Sequence, residues 1–138
     1  MDSIEKLQPT GSPVPMGAYS HGIKVPLPGA ELLFVTGQIA LDTEGNVVAP
    51  NDAARQAEVV FASVNSILQA GGMSMDNVVK AQIFLTNIDD FAAVSAVRNR
   101  YFTVSRPVST LVEVARLVRE GCCVEVEVIA IKLVCAEI

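Results

Sequence analysis

Cys122-Cys-Val-Glu-Val-Glu-Val-Ile-Ala-Ile-Lys-Leu-Val134 is the stretch on which the reading of this chain turns. It is β-branched and apolar almost throughout, which marks a strand with both faces covered. Side chains alternate along a strand, so Glu125 and Glu127 share one face with Ile129 and Ile131. Val124, Val126, Val128 and Ala130 share the other. Two carboxylates about 7 Å apart on a face that turns apolar two residues later must be paired, wet or protonated. Two readings follow. Either the strand lies at an edge or barrel rim, where its acids reach solvent or an arginine, or it lines a pocket that uses at least one working carboxylate.

Working outward from that strand, Val118-Arg-Glu-Gly121 is a tight connection and Val108 to Leu117 is a further strand, begun after a break at Arg106-Pro107. Before it, Asn87 offers a cap for a helix whose first turn holds Asp89 and Asp90. Its stripe is Phe91, Val94, Val97 or Arg98, and Tyr101. Asn77 to Thr86 alternates as a strand with one wetter face: Val79, Ala81, Ile83 and Leu85 point one way. Asn51 or Asp52 caps a longer helix to Gln69, with Ala57, Phe61, Val64 and Leu68 at helical spacing and Gly71-Gly72 as its stop. Glu31 to Thr36 is a strand that continues past a bulge at Gly37, and Ile23 to Val25 is a short extended piece. Residues 1–16, with Pro9, Pro13 and Pro15, form an irregular arm ahead of one domain, 17–138. The order of elements gives an α+β sandwich, a mixed sheet with two helices on one face. The sheet's other face is also apolar, and a neighbouring subunit is its simplest cover, so an oligomer is expected.

The chain has 138 residues and is 51% apolar but only 5% aromatic, so its core is built from Val, Ile, Leu and Ala. A net charge of -5 without a Lys/Arg cluster disfavours binding to phosphate backbones. No apolar run nears the ~18 residues that span a bilayer, and the start of the chain lacks the apolar segment of a signal peptide. Cys122, Cys123 and Cys135 lack disulfide and metal-ligand spacing and read as small apolar residues in a reducing compartment. These features predict a cytoplasmic protein. There is no nucleophile elbow, phosphate loop or dinucleotide fingerprint. His21 is the only histidine and reads as a polar loop residue rather than a general base, which leaves carboxylate chemistry.

Gly17-Ala-Tyr-Ser-His21, Phe34-Val-Thr-Gly-Gln-Ile39, Asp76-Asn-Val-Val-Lys80, Asp90-Phe91, Pro107, Val112-Glu-Val-Ala-Arg-Leu117 and Val124-Glu-Val-Glu-Val-Ile-Ala130 occur in an order that resembles the RidA (YjgF) family. The likeness runs from about Gly17 to Ile131. It implies a chorismate-mutase-like fold and a homotrimer that binds a small molecule in clefts between subunits. It also implies hydrolysis of reactive enamines or imines to a carbonyl compound and ammonia, with no cofactor. Glu125 aligns with the family's catalytic glutamate, Tyr19 with a tyrosine of the cleft, and Thr36 with a position where serine is common. Gly37 lets backbone approach a ligand closely. A non-catalytic metabolite binder and a ribonuclease or translation inhibitor are the other activities in view, the last opposed by the acidic charge.

The chain also departs from that pattern. The imine-deaminase branch carries an arginine two residues after the proline, which clamps a substrate carboxylate through a bidentate pair. Ser109 stands there in this chain, and Ser95 replaces an asparagine of the second helix. A hydroxyl cannot replace a guanidinium, and charge-assisted bonds of roughly 1.5–3 kcal/mol are forgone. Arg106 is adjacent and reads first as a solvent-facing loop residue, with a substitute clamp as the alternative. The expectation is a pocket that is present but differently furnished, and poor hydrolysis of 2-aminoacrylate.

Overall fold

A computed structural model of the chain describes residues 3–135; residues 1–2 of the predicted arm and 136–138 of the predicted domain lie outside it. Six strands form one mixed sheet: β1 Glu5–Leu7, β2 Gly22–Leu27, β3 Ala30–Gln38, β4 Val78–Leu85, β5 Val108–Glu113 and β6 Val124–Leu133. Their spatial order is β1-β2-β3-β6-β4-β5. The stretch that opened the sequence reading is therefore an interior strand, antiparallel to both β3 and β4. The edge-strand reading of its acids is overturned. Only β4 and β5 run parallel, joined by the helical crossover that such a pair needs.

Helix α1, Ala53–Ala70, packs across β3 and β6, and α2, Phe91–Tyr101, packs beside α1. Asp52 caps α1 by accepting from the Arg55 amide at 3.1 Å, and Gly71 closes it. The face of β6 that carries Val124, Val126, Val128 and Ala130 is buried beneath α1, together with Leu33, Val35, Ala81, Ile83 and Leu85. Phe61 joins the two helices, stacking on Tyr101 at 5.4 Å and meeting Phe102 edge-on at 5.7 Å. Among the described residues no helix covers the opposite face of the sheet, and Phe34 lies 43% exposed on it.

Several expected boundaries moved for local reasons. The arm is not wholly irregular, because Glu5–Leu7 pairs with Gly22–Lys24 and Lys24 lies 3.7 Å from Glu5 and 3.3 Å from Glu31. Pro26 sits within β2, beyond the reach of β1, where its missing N–H strands no partner. A register shift between Val78 and Lys80 turns Val79 outward, 44% exposed, against the simple alternation read for β4. Asn87 caps a separate short turn, Ile88–Asp90, and not α2 itself. Beyond Glu113 the chain leaves the sheet, so β5 is shorter than the predicted Val108 to Leu117.

Candidate active site

The bulge forecast at Gly37 builds the site. Val35 pairs with Val128 but Gln38 pairs with Val126, so β3 carries one residue more than β6 over that interval. The extra residue breaks the ladder at Thr36-Gly37 and leaves room beside β6. Hydrogen bonds fix the distortion. The Gln38 amide donates to the Thr36 carbonyl at 2.8 Å, and Ser63 of α1 donates to Gln38 Oε1 at 2.8 Å. Thr36 Oγ1 donates to the Ser20 carbonyl at 2.5 Å, which pins the segment entering β2 to the same bulge.

Glu125 fills the room so made. A methyl group added at Gly37 would stand 2.9 Å from Cδ and 3.1 Å from Cγ of Glu125. Any larger residue at 37 would therefore displace the carboxylate of this chain, before any ligand is considered. The Glu125 side chain borders a cleft of about 80 Å³ whose walls include Pro13, Met16, Tyr19, His21, Thr36, Gly37, Gln38 and Ser63. It is half-buried, and among the described residues it makes no ion pair and no hydrogen bond. Burial raises its pKa above the ordinary 4.5, and the negative charge of Glu127 adds to the rise. Glu127 itself borders a neighbouring concavity of about 720 Å³, with Tyr19 and Thr36 common to both. Of the two acids in the strand, Glu127 is thus exposed and Glu125 is half-buried without a partner among the described residues.

Tyr19, Thr36, Gly37 and Glu125 border one cleft. The remaining candidates do not border it. Arg106 and Ser109 border a separate concavity of about 640 Å³ with Arg98 and Pro107. Arg106 also has φ of 43°, a left-handed backbone uncommon outside glycine. Within one protomer it is an exposed loop residue, as its first reading has it, and does not border the Glu125 cleft. Ser95 borders neither space; it is buried on α2 with its Oγ unpartnered. His21 lies in the loop before β2, as its sequence context predicts, but it is only 6% exposed and forms part of the cleft wall. Gln38 and Ser63 were not singled out at all. The polar residue directly after the predicted bulge glycine was the available signal for Gln38.

The family model for Endoribonuclease L-PSP matches residues 10–132. The chain is 36% identical over 121 residues to a RutC family protein of Pyrococcus abyssi, covering 88% of this chain and 91% of that one. It is 32% identical over 121 residues to the 2-iminobutanoate/2-iminopropanoate deaminase of Capra hircus, covering 88% and 85%. Among solved structures, that of E. coli TdcF with bound serine is similar at a TM-score of 0.79 and 29% identity, covering 93% of this chain and 98% of that one.

Proposed function

The chain belongs to the Endoribonuclease L-PSP family, the RidA (YjgF) family of the resemblance, and on that premise we propose that it is a deaminase-like hydrolase of small imines and enamines. The observation that carries this reading is the unpaired, half-buried carboxylate of Glu125 in its cleft. Its chemistry is that of a general base that becomes an acid. The carboxylate takes a proton from water as the water oxygen bonds to the imine carbon. It gives that proton to nitrogen, forming a carbinolamine; it then takes the proton of the new hydroxyl and passes it to nitrogen as the C–N bond breaks, so that a carbonyl compound and ammonia leave. Tyr19 and Thr36 orient the substrate, and Gly37 keeps a side chain out of the carboxylate's space. Because the base is the ionised form, kcat/KM is expected to fall as pH drops through the Glu125 pKa. That limb should lie above the usual carboxylate value of 4.5 and move when Glu127 is neutralised.

The homotrimer belongs to the same proposal. The exposed Phe34 on the uncovered sheet face and Val108, 69% exposed on β5, support it. In such an assembly the concavity at Arg106 and Ser109 of one copy would complete the Glu125 cleft of another. A monomer seen by light scattering at micromolar concentration would refute it.

Substrate choice follows from Ser109. Without a guanidinium at that position, 2-aminoacrylate and 2-iminobutanoate, which carry a carboxylate, should be handled less well than imines without one. The test generates each imine in situ and follows release of ammonia and carbonyl product. No acceleration on any imine overturns the hydrolase reading, and rates on 2-aminoacrylate equal to those of an arginine-bearing relative overturn the reading of Ser109. Gly37→Ala should lower turnover by about 10²-fold, since its methyl displaces the carboxylate by about 1 Å. Stability should change by less than about 1 kcal/mol, because the displaced group is the end of a flexible side chain. Rates and thermal melts of that variant check both halves.

A second reading, a small-metabolite binder without turnover, draws on Ser109 and on the likeness to TdcF with bound serine. The ribonuclease role in the family's name fits a net charge of -5 poorly.

A further inference from the structure

The segment Pro13 to Ser20 crosses the Glu125 cleft as a strap, and very little holds it there. Met16 is 59% exposed and Tyr19 46%, so burial in the core does not fix it. Its far end is secured to the sheet: Thr36 Oγ1 donates to the Ser20 carbonyl, and the Thr36 amide donates to the His21 carbonyl at 2.9 Å. Inside the strap, the Met16 amide donates to the Tyr19 hydroxyl at 3.2 Å. At its near end one buried side chain reaches back. His21 Nε2 lies 2.5 Å from the Pro13 carbonyl, eight residues earlier. A carbonyl only accepts, so this ring nitrogen carries the proton. The other, Nδ1, is buried without a partner, which leaves the Pro13 bond as the ring's one polar contact among the described residues. A longer bond from Gln8, 3.4 Å, reaches the same carbonyl from outside.

An imidazole is a costly choice for a buried wall residue if its only task is to fill space. From these contacts we infer that His21 is a positioning residue for the reaction at Glu125. It holds Pro13, and through the strap Met16 and Tyr19, as the outer wall of the cleft, so it sets how tightly a small substrate is gripped. The inference rests on the hydrolase reading for its kinetic consequence, but its structural half stands apart from it. A neutral donor at Nε2 suffices for the role, and no proton transfer by His21 is required.

The experiment compares the full chain with His21→Phe, which fills the space and lacks the donor, and His21→Gln, which restores an N–H at similar reach. Amide hydrogen exchange at Met16 and Tyr19 is read beside the kinetics of imine hydrolysis. His21→Phe should speed exchange in the strap and raise KM by about three- to tenfold, the worth of one neutral hydrogen bond, with kcat nearly unchanged. His21→Gln should return both toward wild type. Strap exchange that is unchanged in His21→Phe overturns the inference. So does a collapse of kcat at constant KM, which would make His21 a chemical participant. If the Phe variant does not fold, His21→Ala takes its place in the same comparison. If the wild-type chain hydrolyses no imine, the hydrolase reading falls alone, and strap exchange still decides the role of His21.

Discussion

Replacing Glu125 by glutamine is expected to lower imine turnover by about 10²–10⁴-fold while ligand binding stays close to wild type. Glutamine keeps the shape that packs against Gly37 but can neither accept a proton from water nor return it to nitrogen. The same substitution should make the protein more stable at neutral pH. The folded-state pKa of Glu125 is raised above its unfolded value, so between the two the native state binds more protons than the unfolded chain, and stability falls as pH rises through that window. The charged carboxylate is thus a liability to the fold above its raised pKa and becomes neutral in effect as pH drops toward 4.5. Melts of the two proteins should therefore differ at pH 7 and converge in acid. Loss of activity together with a gain in stability marks a group kept for chemistry. A variant that retains turnover would remove the proposed mechanism, and one that loses both turnover and ligand binding would mean that Glu125 builds the cleft and does not act in it.

The half of the site carried by β3 and β6 was legible because its signals are local. A two-residue alternation assigns Glu125 to a face, and a glycine inside a strand marks the bulge that makes space for it. What was missed depends on partners far away in sequence. The burial of His21 comes from a carbonyl eight residues back across an irregular strap, which no periodicity announces. Three residues flanked by loops, Glu5–Leu7, have no strand pattern of their own and are ordered by the edge that β2 offers. The resemblance grouped Ser95, Ser109 and Arg106 with Glu125, yet one protomer keeps them apart, since β4 and β5 separate that edge from β6. In the proposed homotrimer a second copy would bring Ser109 and Arg106 to the cleft, and a single chain's pattern holds no geometry between copies.

Gln56→Leu is expected to be the most destabilising single change of similar volume, costing about 2–5 kcal/mol and lowering Tm by about 10–20 °C. Gln56 is fully buried on α1. Its Oε1 accepts from the Cys123 amide at 2.7 Å, and its Nε2 donates to the carbonyls of Gly121 at 2.8 Å and of Val48 and Ala49 at 3.1 Å each. Leucine would fit the space and strand the Cys123 amide and the Val48 carbonyl, each at about 1–3 kcal/mol where water cannot reach, while the Gly121 and Ala49 carbonyls keep the Asn51 and Asp52 amides. It would also release a strained loop: Ala49 and Asn51 have φ of 44° and 63°, and the Asn51 amide is tied to the Gly121 carbonyl at 2.8 Å. Gln56 lies four residues before Val60 on the apolar stripe of α1, a polar residue where the helical spacing asks for a hydrophobic one. Its side-chain amide fixes Cys123, the residue before β6 and two before Glu125, so the substitution should blunt catalysis as well as stability. Urea unfolding of Gln56→Leu and of Gln69→Leu, at an exposed position of the same helix, separates the explanations. A large loss confined to position 56 is the expected result, and equal small losses at both would assign the buried amide no special part in holding the fold.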